Sequence, residues 1–264
     1  MIQLICVDVD GTLVGRSGRV SEEVWNAAAL ARRHGVRLAL CSGRPGFGVT
    51  RQLAERLDEK GWHAFQNGAS VMHLGDGDTR SRVISPSIVA QLIAEARRTG
   101  RSLELYSDAD YAVEVDTDQT RRHADLLGVP FRTRRLESLT EPIVRAQWLA
   151  AHHDVDAIVA DHVDGIMMLP SLSPVMPDTT FVNMTVIGVD KALAIGVIAS
   201  AYDISLDRVM MVGDGANDVS ALRVAGAAVA MGNAEPEALA VARYTVGDVE
   251  HDGVVDAISL AMNL

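Results

Sequence analysis

Ile2-Gln3-Leu4-Ile5-Cys6-Val7-Asp8-Val9-Asp10-Gly11-Thr12, near the start of the chain, is the stretch from which the fold is read. It is an almost unbroken apolar run that ends in two acidic residues and a glycine. A strand buried on both faces of a parallel sheet reads this way, because neither face meets water. Ser21 then offers an N-cap ahead of Glu22 and Glu23, and an Ala-rich stretch continues to His34 and stops at Gly35, which predicts a helix. Residues 36–41 repeat the buried-strand pattern and run into Ser42-Gly43-Arg44-Pro45, and residues 49–60 predict a second helix closed by Gly61. Strand, helix, strand, helix is the alternation of a doubly wound sheet.

The middle of the chain reads differently. Residues 102–106 and 111–115 predict two short strands around the turn Ser107-Asp108-Ala109-Asp110, hence a hairpin. A polar helix near 118–127, an Arg-rich connection, a strand near 146–150, a helix near 155–163 and strands near 166–169 and 181–186 follow. This is an α+β pattern with antiparallel pairing. The alternation then resumes with a helix over 191–201, a strand over 209–212 ending in Gly213-Asp214-Gly215, a helix over 219–224, a strand over 227–230 and a helix over 235–242. The expected fold class is α/β: a doubly wound, mostly parallel sheet from residues 1–84 and 186–264, with an α+β domain inserted over residues 85–185.

Composition bounds the function. Of 264 residues, 48% are hydrophobic and 22% charged, as in ordinary globular proteins. A net charge of -11 lacks the basic footprint that phosphate backbones demand, so no nucleic-acid partner is expected. Cys6 and Cys41 are the only cysteines, both in apolar runs, and are expected to be buried reduced thiols. Met1 leads into the first strand without a basic segment, and no stretch reaches the roughly 18 uninterrupted apolar residues of a membrane span. A cytoplasmic monomer or homodimer with no membrane partner is expected.

The chemistry concentrates at predicted strand ends. Asp8 and Asp10, two apart in extended chain, face the same way about 6.5 to 7 Å apart. Asp214, and Asp218 one helical turn later, follow another buried strand. If the two strands are neighbours, four carboxylates meet in the crevice where open α/β sheets bind ligands. Uncompensated, they would repel one another and be costly to desolvate. A hard divalent cation resolves this, and Mg2+ suits few carboxylates with room for phosphate oxygens. Ser42 after the second strand and Lys191 at a helix start offer donors for a phosphoryl group.

Taken singly, these residues have plainer readings. Asp-Gly pairs mark turns everywhere, Lys191 could be a solvated helix-start lysine, and Ser42 could be an N-cap. A calcium loop fails, because the twelfth position from Asp8 is Arg19 rather than glutamate. The eight histidines show no zinc spacing, and phosphate-binding glycine loops of the GxxxxGK[ST] kind are absent. Arg121, Arg122, Arg132, Arg134 and Arg135 read as a solvated face, or alternatively as groups that draw in an anionic substrate.

Val7-Asp8-Val9-Asp10-Gly11-Thr12-Leu13, Ser42-Gly43-Arg44, Lys191 and Gly213-Asp214-Gly215-Ala216-Asn217-Asp218 together resemble the four ordered motifs of the haloacid dehalogenase superfamily, nearest to its Cof-type phosphatases. Asn67-Gly68-Ala69, Met231-Gly232-Asn233-Ala234 and His251-Asp252-Gly253-Val254 support the likeness, and the insertion resembles that group's large α/β cap. Cys41 departs from the threonine common before the second motif, while Ser42 still supplies the hydroxyl. The resemblance implies a phosphatase acting on a small phosphorylated metabolite, with Asp8 as nucleophile and Asp10 as acid and base. It further implies Ser42, Gly43, Lys191 and Asn217 on the phosphoryl group. Mg2+ would be held by Asp8, the Asp10 carbonyl, Asp214 and Asp218. A sugar phosphate is the first expectation for the substrate. Phosphoglycolate, pyridoxal phosphate, a phosphomutase reaction and a phospho-accepting signalling domain are the alternatives, the last disfavoured by Asp10 and by the insertion.

Overall fold

The structure is a computed structural model and describes residues 1–173 and 176–264. It divides into two compact units, one of Met1–Arg44, Gln52–Arg80 and Asp190–Leu264, the other of Pro45–Arg51 and Ser81–Val189. The second unit thus extends a few residues beyond 85–185 at both ends. Ile84 is buried in its core with its N–H donating to the Ile143 carbonyl (2.7 Å), and Ile187 N–H donates to the Gly165 carbonyl (3.1 Å).

The first unit begins with β1 (Leu4–Val7), α1 (Glu22–Arg33), β2 (Arg37–Leu40), α2 (Gly48–Asp58, whose first turn counts with the second unit), β3 (Trp62–Phe65) and β4 (Ser70–His73). The second unit contributes α3 (Pro86–Thr99), β5 (Ser102–Tyr106), β6 (Tyr111–Val113), α4 (Asp118–Leu127), β7 (Arg145–Ala150), α5 (Val155–Ala160), β8 (Ile166–Ser173) and β9 (Met176–Val186). The first unit resumes with α6 (Lys191–Ala201), β10 (Val209–Gly213), α7 (Val219–Val224), β11 (Ala227–Ala230), α8 (Pro236–Leu239), β12 (Tyr244–Thr245) and α9 (Gly253–Asn263).

The sheet of the first unit has the order β12-β11-β10-β1-β2, parallel throughout. Its strands are apolar on both faces because both faces are covered. Ile5, Val7, Leu38, Leu40, Met210 and Val212 pack in one core with Val24, Trp25 and Ala28 of α1 and Ala257 and Ile258 of α9. Leu4, Cys6, Ala39, Val209 and Met211 pack on the other side with Ala194, Ile195 and Ile198 of α6 and Leu222 of α7. β1 lies in the middle, and Val7 is level with Val212 of β10 and Leu40 of β2. All three strands therefore deliver their following loops to one edge.

The cap signals act as read in α1, where the Ser21 hydroxyl accepts from Val24 N–H (3.3 Å). The sequence reading assigned nothing to the β3–β4 hairpin, α3 or α9. In α3, Ser85 is the N-cap, Pro86 stands in the first turn and Gly100 closes the helix with φ 70°. α5 ends at Ala160, three residues before the expected stop, and β8 and β9 are each longer than the strands expected near 166–169 and 181–186.

The sheet of the second unit has the order β6-β5-β7-β9-β8, antiparallel throughout. Leu103, Leu105, Trp148, Val182 and Met184 pack there with Leu92 and Ile93 of α3 and Ile158 of α5. Within the same unit a buried polar network centres on Glu104, whose Oε2 accepts from the Tyr106 hydroxyl (2.5 Å), His123 Nδ1 (2.8 Å) and Gln147 Nε2 (3.2 Å). The five arginines read from the sequence as a solvated face lie against carboxylates: Arg121 pairs with Asp116, Arg122 with Asp118 and Asp178, Arg132 and Arg134 with Asp110, and Arg135 with Glu137. No helix among the described residues is long and apolar enough to cross a membrane.

Candidate active site

Asp8 follows β1 directly, and its N–H donates to the Val212 carbonyl (3.0 Å), which carries the ladder one residue past the strand. The chain then turns sharply, with the N–H groups of Leu13 and Val14 both donating to the Val9 carbonyl (3.0 and 2.8 Å). Gly11 makes the turn possible twice over. Its φ is 78°, and a Cβ there would fall 2.0 Å from Asp214 Oδ2. Thr12 uses the same proximity, donating its hydroxyl to Asp214 Oδ1 (2.8 Å).

Asp214 follows β10, and one tight turn over 216–218 brings Asp218 back beneath it. Asp218 Oδ2 accepts from the N–H groups of Asp214 and Gly215, both at 3.0 Å. The fit leaves no room for a side chain on Gly213, where a Cβ would stand 2.5 Å from the Asp218 carboxylate.

Lys191 is the first residue of α6, whose N-cap Asp190 accepts from Leu193 N–H (2.8 Å). A cation at a helix N-terminus meets the unfavourable end of the dipole, so local propensity does not account for Lys191. Its partners do. Nζ donates to Asp8 Oδ1 and to Asp218 Oδ1, each at 2.6 Å, and the lysine is only 1% exposed.

Oxygens of Asp8, Asp214 and Asp218 all lie within 4.8 Å of one another. Three carboxylates against one ammonium, if all were ionised, would leave two negative charges in a buried place. Burial pushes the Asp8 carboxyl up, with Lys191 opposing and Asp218 adding to the rise. Asp214 is raised to about 6, again by burial first, with the Thr12 hydrogen bond opposing. Burial acts against the Lys191 charge as well, but Asp8 and Asp218 outweigh it and hold the ammonium above its usual value.

The remaining residues stand around this group. Ser42 is buried, its hydroxyl oxygen accepting from Arg44 N–H (3.1 Å). Gly43 lies beside Asn67, whose Oδ1 accepts from Asn217 Nδ2 (3.0 Å). The Asp10 carboxylate is not part of the three-carboxylate group. It is largely exposed, and both its oxygens accept from Arg44, from Nε at 2.9 Å and from Nη2 at 2.5 Å.

A family model described as haloacid dehalogenase-like hydrolase matches residues 5–258. The chain belongs to this family. It is 24% identical over 264 residues to the Bacillus subtilis 5-amino-6-(5-phospho-D-ribitylamino)uracil phosphatase YcsE, covering 97% of this chain and 94% of that one. Among solved structures it resembles a haloacid dehalogenase-like hydrolase from Bacteroides thetaiotaomicron, with a TM-score of 0.87, 26% identity, and coverage of 98% and 99% of the two chains. It shares its fold with the subclass IIB sugar phosphatase BT4131, with a TM-score of 0.81, 21% identity, and coverage of 99% and 100%. As a haloacid dehalogenase-like hydrolase, the chain is an enzyme of the phosphatase type.

The donor set of this hydrolase suits a divalent cation. Its side-chain donors are carboxylate oxygens, which select a hard ion, and a divalent charge would offset the carboxylates that Lys191 leaves unbalanced once they are ionised. Sequence reasoning missed four partners of the site. Arg44 on Asp10 and Asn67 on Asn217 stand inside quoted motifs whose individual roles were not assigned. Asn233 donates Nδ2 to the Gly11 carbonyl (2.8 Å) and accepts from Val249 N–H, tying down the Asp10 loop. Glu235 accepts from Ala216 N–H (2.8 Å), and nothing in its sequence context marks it for that task.

Proposed function

We propose that this protein is a magnesium-dependent phosphatase that hydrolyses a small phosphomonoester, a sugar or polyol phosphate, through an aspartyl-phosphate on Asp8. The observation that carries the proposal is the buried ammonium of Lys191 shared between Asp8 and Asp218 at the edge where β1 and β10 end. A charge-stabilised carboxylate beside further acidic ligands is what phosphoryl transfer to an aspartate asks for.

Asp8, the backbone carbonyl of Asp10, Asp214 and Asp218 would hold the magnesium, Asp218 directly or through its neighbours. Once bound, the ion would offset the charge of the carboxylates and of the phosphoryl oxygens. In the first step an Asp8 carboxylate oxygen bonds to phosphorus as the bond from phosphorus to the leaving oxygen breaks, and Asp10 gives that oxygen a proton. In the second, water attacks the same phosphorus, its proton passes to Asp10, and the bond to Asp8 breaks to release inorganic phosphate. Lys191 favours the ionised form of Asp8 against burial and orients it. Ser42, Gly43 and Asn217 bind the phosphoryl oxygens.

The sugar or polyol class rests on the phosphorylated ribityl chain in the name of the relative YcsE. The inserted α+β unit is assigned as the family's cap domain.

Turnover of p-nitrophenyl phosphate tests the reaction. It should require added Mg2+, stop with a chelator, and fall at least about 10^3-fold in Asp8→Asn. Equal rates in Asp8→Asn and wild type would end the proposal. A screen of sugar, polyol and non-sugar phosphates then tests the substrate class, which is wrong if only the non-sugar compounds turn over.

A further inference from the structure

Gln66, Asn67 and Gly68 follow β3 with φ of 55°, 54° and 96°. Two consecutive non-glycine residues in the left-handed region are uncommon, because the Cβ crowds the backbone there. Such conformations persist where the surroundings over-determine them, and they collect at functional sites. The surroundings here supply that constraint. Gln66 N–H donates to the Arg44 carbonyl (2.9 Å) and Asn67 N–H to the Ser42 carbonyl (3.0 Å). Gly68 presses on the start of α6, where a Cβ would fall 2.3 Å from the Asp190 carbonyl oxygen. One turn is therefore bound both to the loop that carries Ser42 and to the helix start that carries Lys191.

The Asn67 side chain leaves this pinned turn between two of the predicted phosphoryl-binding residues. Its Oδ1 accepts from Asn217 Nδ2 at 3.0 Å and lies 3.1 Å from where a Cβ on Gly43 would stand. Its own Nδ2 has no partner among the described residues. Asn217 itself is exposed, and without a fixed neighbour its side chain would be free to sample several rotamers. A partner on an immobilised backbone removes that freedom before any ligand arrives, and donors ordered in advance bind charge more tightly. Asparagine also suits the position itself, since it tolerates the left-handed region better than most residues.

We propose that Asn67 is a positioning residue for phosphate recognition, setting the Asn217 amide toward the anionic oxygens of a phosphomonoester or of inorganic phosphate. The inference rests on the phosphatase reading above. Its test is a cycle of Asn67→Gly, Asn217→Ala and the double variant in the full chain with Mg2+. Glycine at 67 keeps the positive φ while deleting the amide, so the backbone is left unstrained. Calorimetric affinity for inorganic phosphate is measured beside KM and kcat for p-nitrophenyl phosphate, with a melting curve for each variant.

Asn67→Gly is expected to weaken phosphate binding and raise KM roughly 5- to 20-fold, the scale of one hydrogen bond, with a smaller change in kcat. The double variant should bind phosphate no more weakly than Asn217→Ala alone, because both changes remove one device. Unchanged affinity in Asn67→Gly would overturn the proposal. So would losses that multiply in the double variant, or a loss that merely follows a lowered melting temperature. The calorimetry needs no turnover. Phosphate binding that depends on Asn67 in a protein without phosphatase activity would therefore sink the catalytic reading and leave this one standing.

Discussion

At the scale of single residues, the site depends on contacts too close to tolerate change. Gly11 combines φ 78° with a Cβ position 2.0 Å from Asp214 Oδ2. Gly11→Ala should therefore displace Asp214 or Asp10 and lower kcat/KM about 100-fold, with a stability loss of about 1 kcal/mol or more. Steady-state kinetics beside urea unfolding would separate the two effects. Among the described residues Lys191 is the one ammonium against Asp8 and Asp218, so Lys191→Met removes the cation from two buried carboxylates. Urea unfolding in chelator should show a loss of about 3–5 kcal/mol. A change below about 1 kcal/mol would mean that the buried pairs matter little to the fold.

The sequence was legible where a residue's place follows from its own element. Asp8 and Asp214 could be put at strand ends, and Lys191 at a helix start, from local pattern alone. Arg44 on Asp10 and Asn67 on Asn217 could not, because those pairs join residues 34 and 150 positions apart, and only the folded chain decides such distances.

At the scale of elements, buried polar residues explain what the pattern concealed. β3 carries His63 at an entirely buried position, which breaks the apolar run that marks a strand. The ring is satisfied by backbone: Nδ1 accepts from Leu40 N–H (3.0 Å), and Nε2 donates to the Asp58 carbonyl (2.8 Å). β5 is similar, with Glu104 gathering donors from Tyr106, His123 and Gln147. Glu104→Ala would strand several buried donors at once and should destabilise the second unit by about 2–4 kcal/mol, as read by hydrogen exchange in β5 and β7.

On the rim of the same unit, hydrogen bonds from Arg97 hold Glu137 down to about 2 and lower Glu114 as well. Carboxyls depressed in the folded state stabilise it above their unfolded value. That stabilisation is lost as the pH falls toward the folded one. The second unit should thus lose a small increment of stability between about pH 4.5 and pH 2. In Arg97→Met, urea midpoints should lose that part of their pH dependence. Both carboxylates are solvent-facing, so the increment is modest.

At the scale of the whole molecule, the acidic balance of -11 and the three-carboxylate group make divalent cations the natural stabilising ligand. A cation that binds only the folded state adds about 2.7 kcal/mol at a hundredfold excess over its dissociation constant. At roughly 2–4 °C per kcal/mol for a unit of this size, Mg2+ should raise the melting transition of the first unit by several degrees. Asp214→Asn should abolish most of that rise. A wild-type transition that ignores magnesium would argue against metal at these carboxylates. The interrupted sheet itself was readable from the alternation of apolar runs and Ala-rich stretches. The share taken by the second unit at 45–51 was not, because it depends on packing such as the stack of Phe47 on Tyr106 and Tyr111, which no local pattern announces.

The proposed function requires that Asp8 carry a phosphoryl group during turnover. The direct measurement is to quench the enzyme during turnover, reduce the trapped acyl phosphate with borohydride, and map the modified residue by peptide mass. Homoserine is expected in place of aspartate at position 8, only when substrate and Mg2+ were present. Reduction at another carboxylate, or none at all during demonstrable turnover, would contradict it.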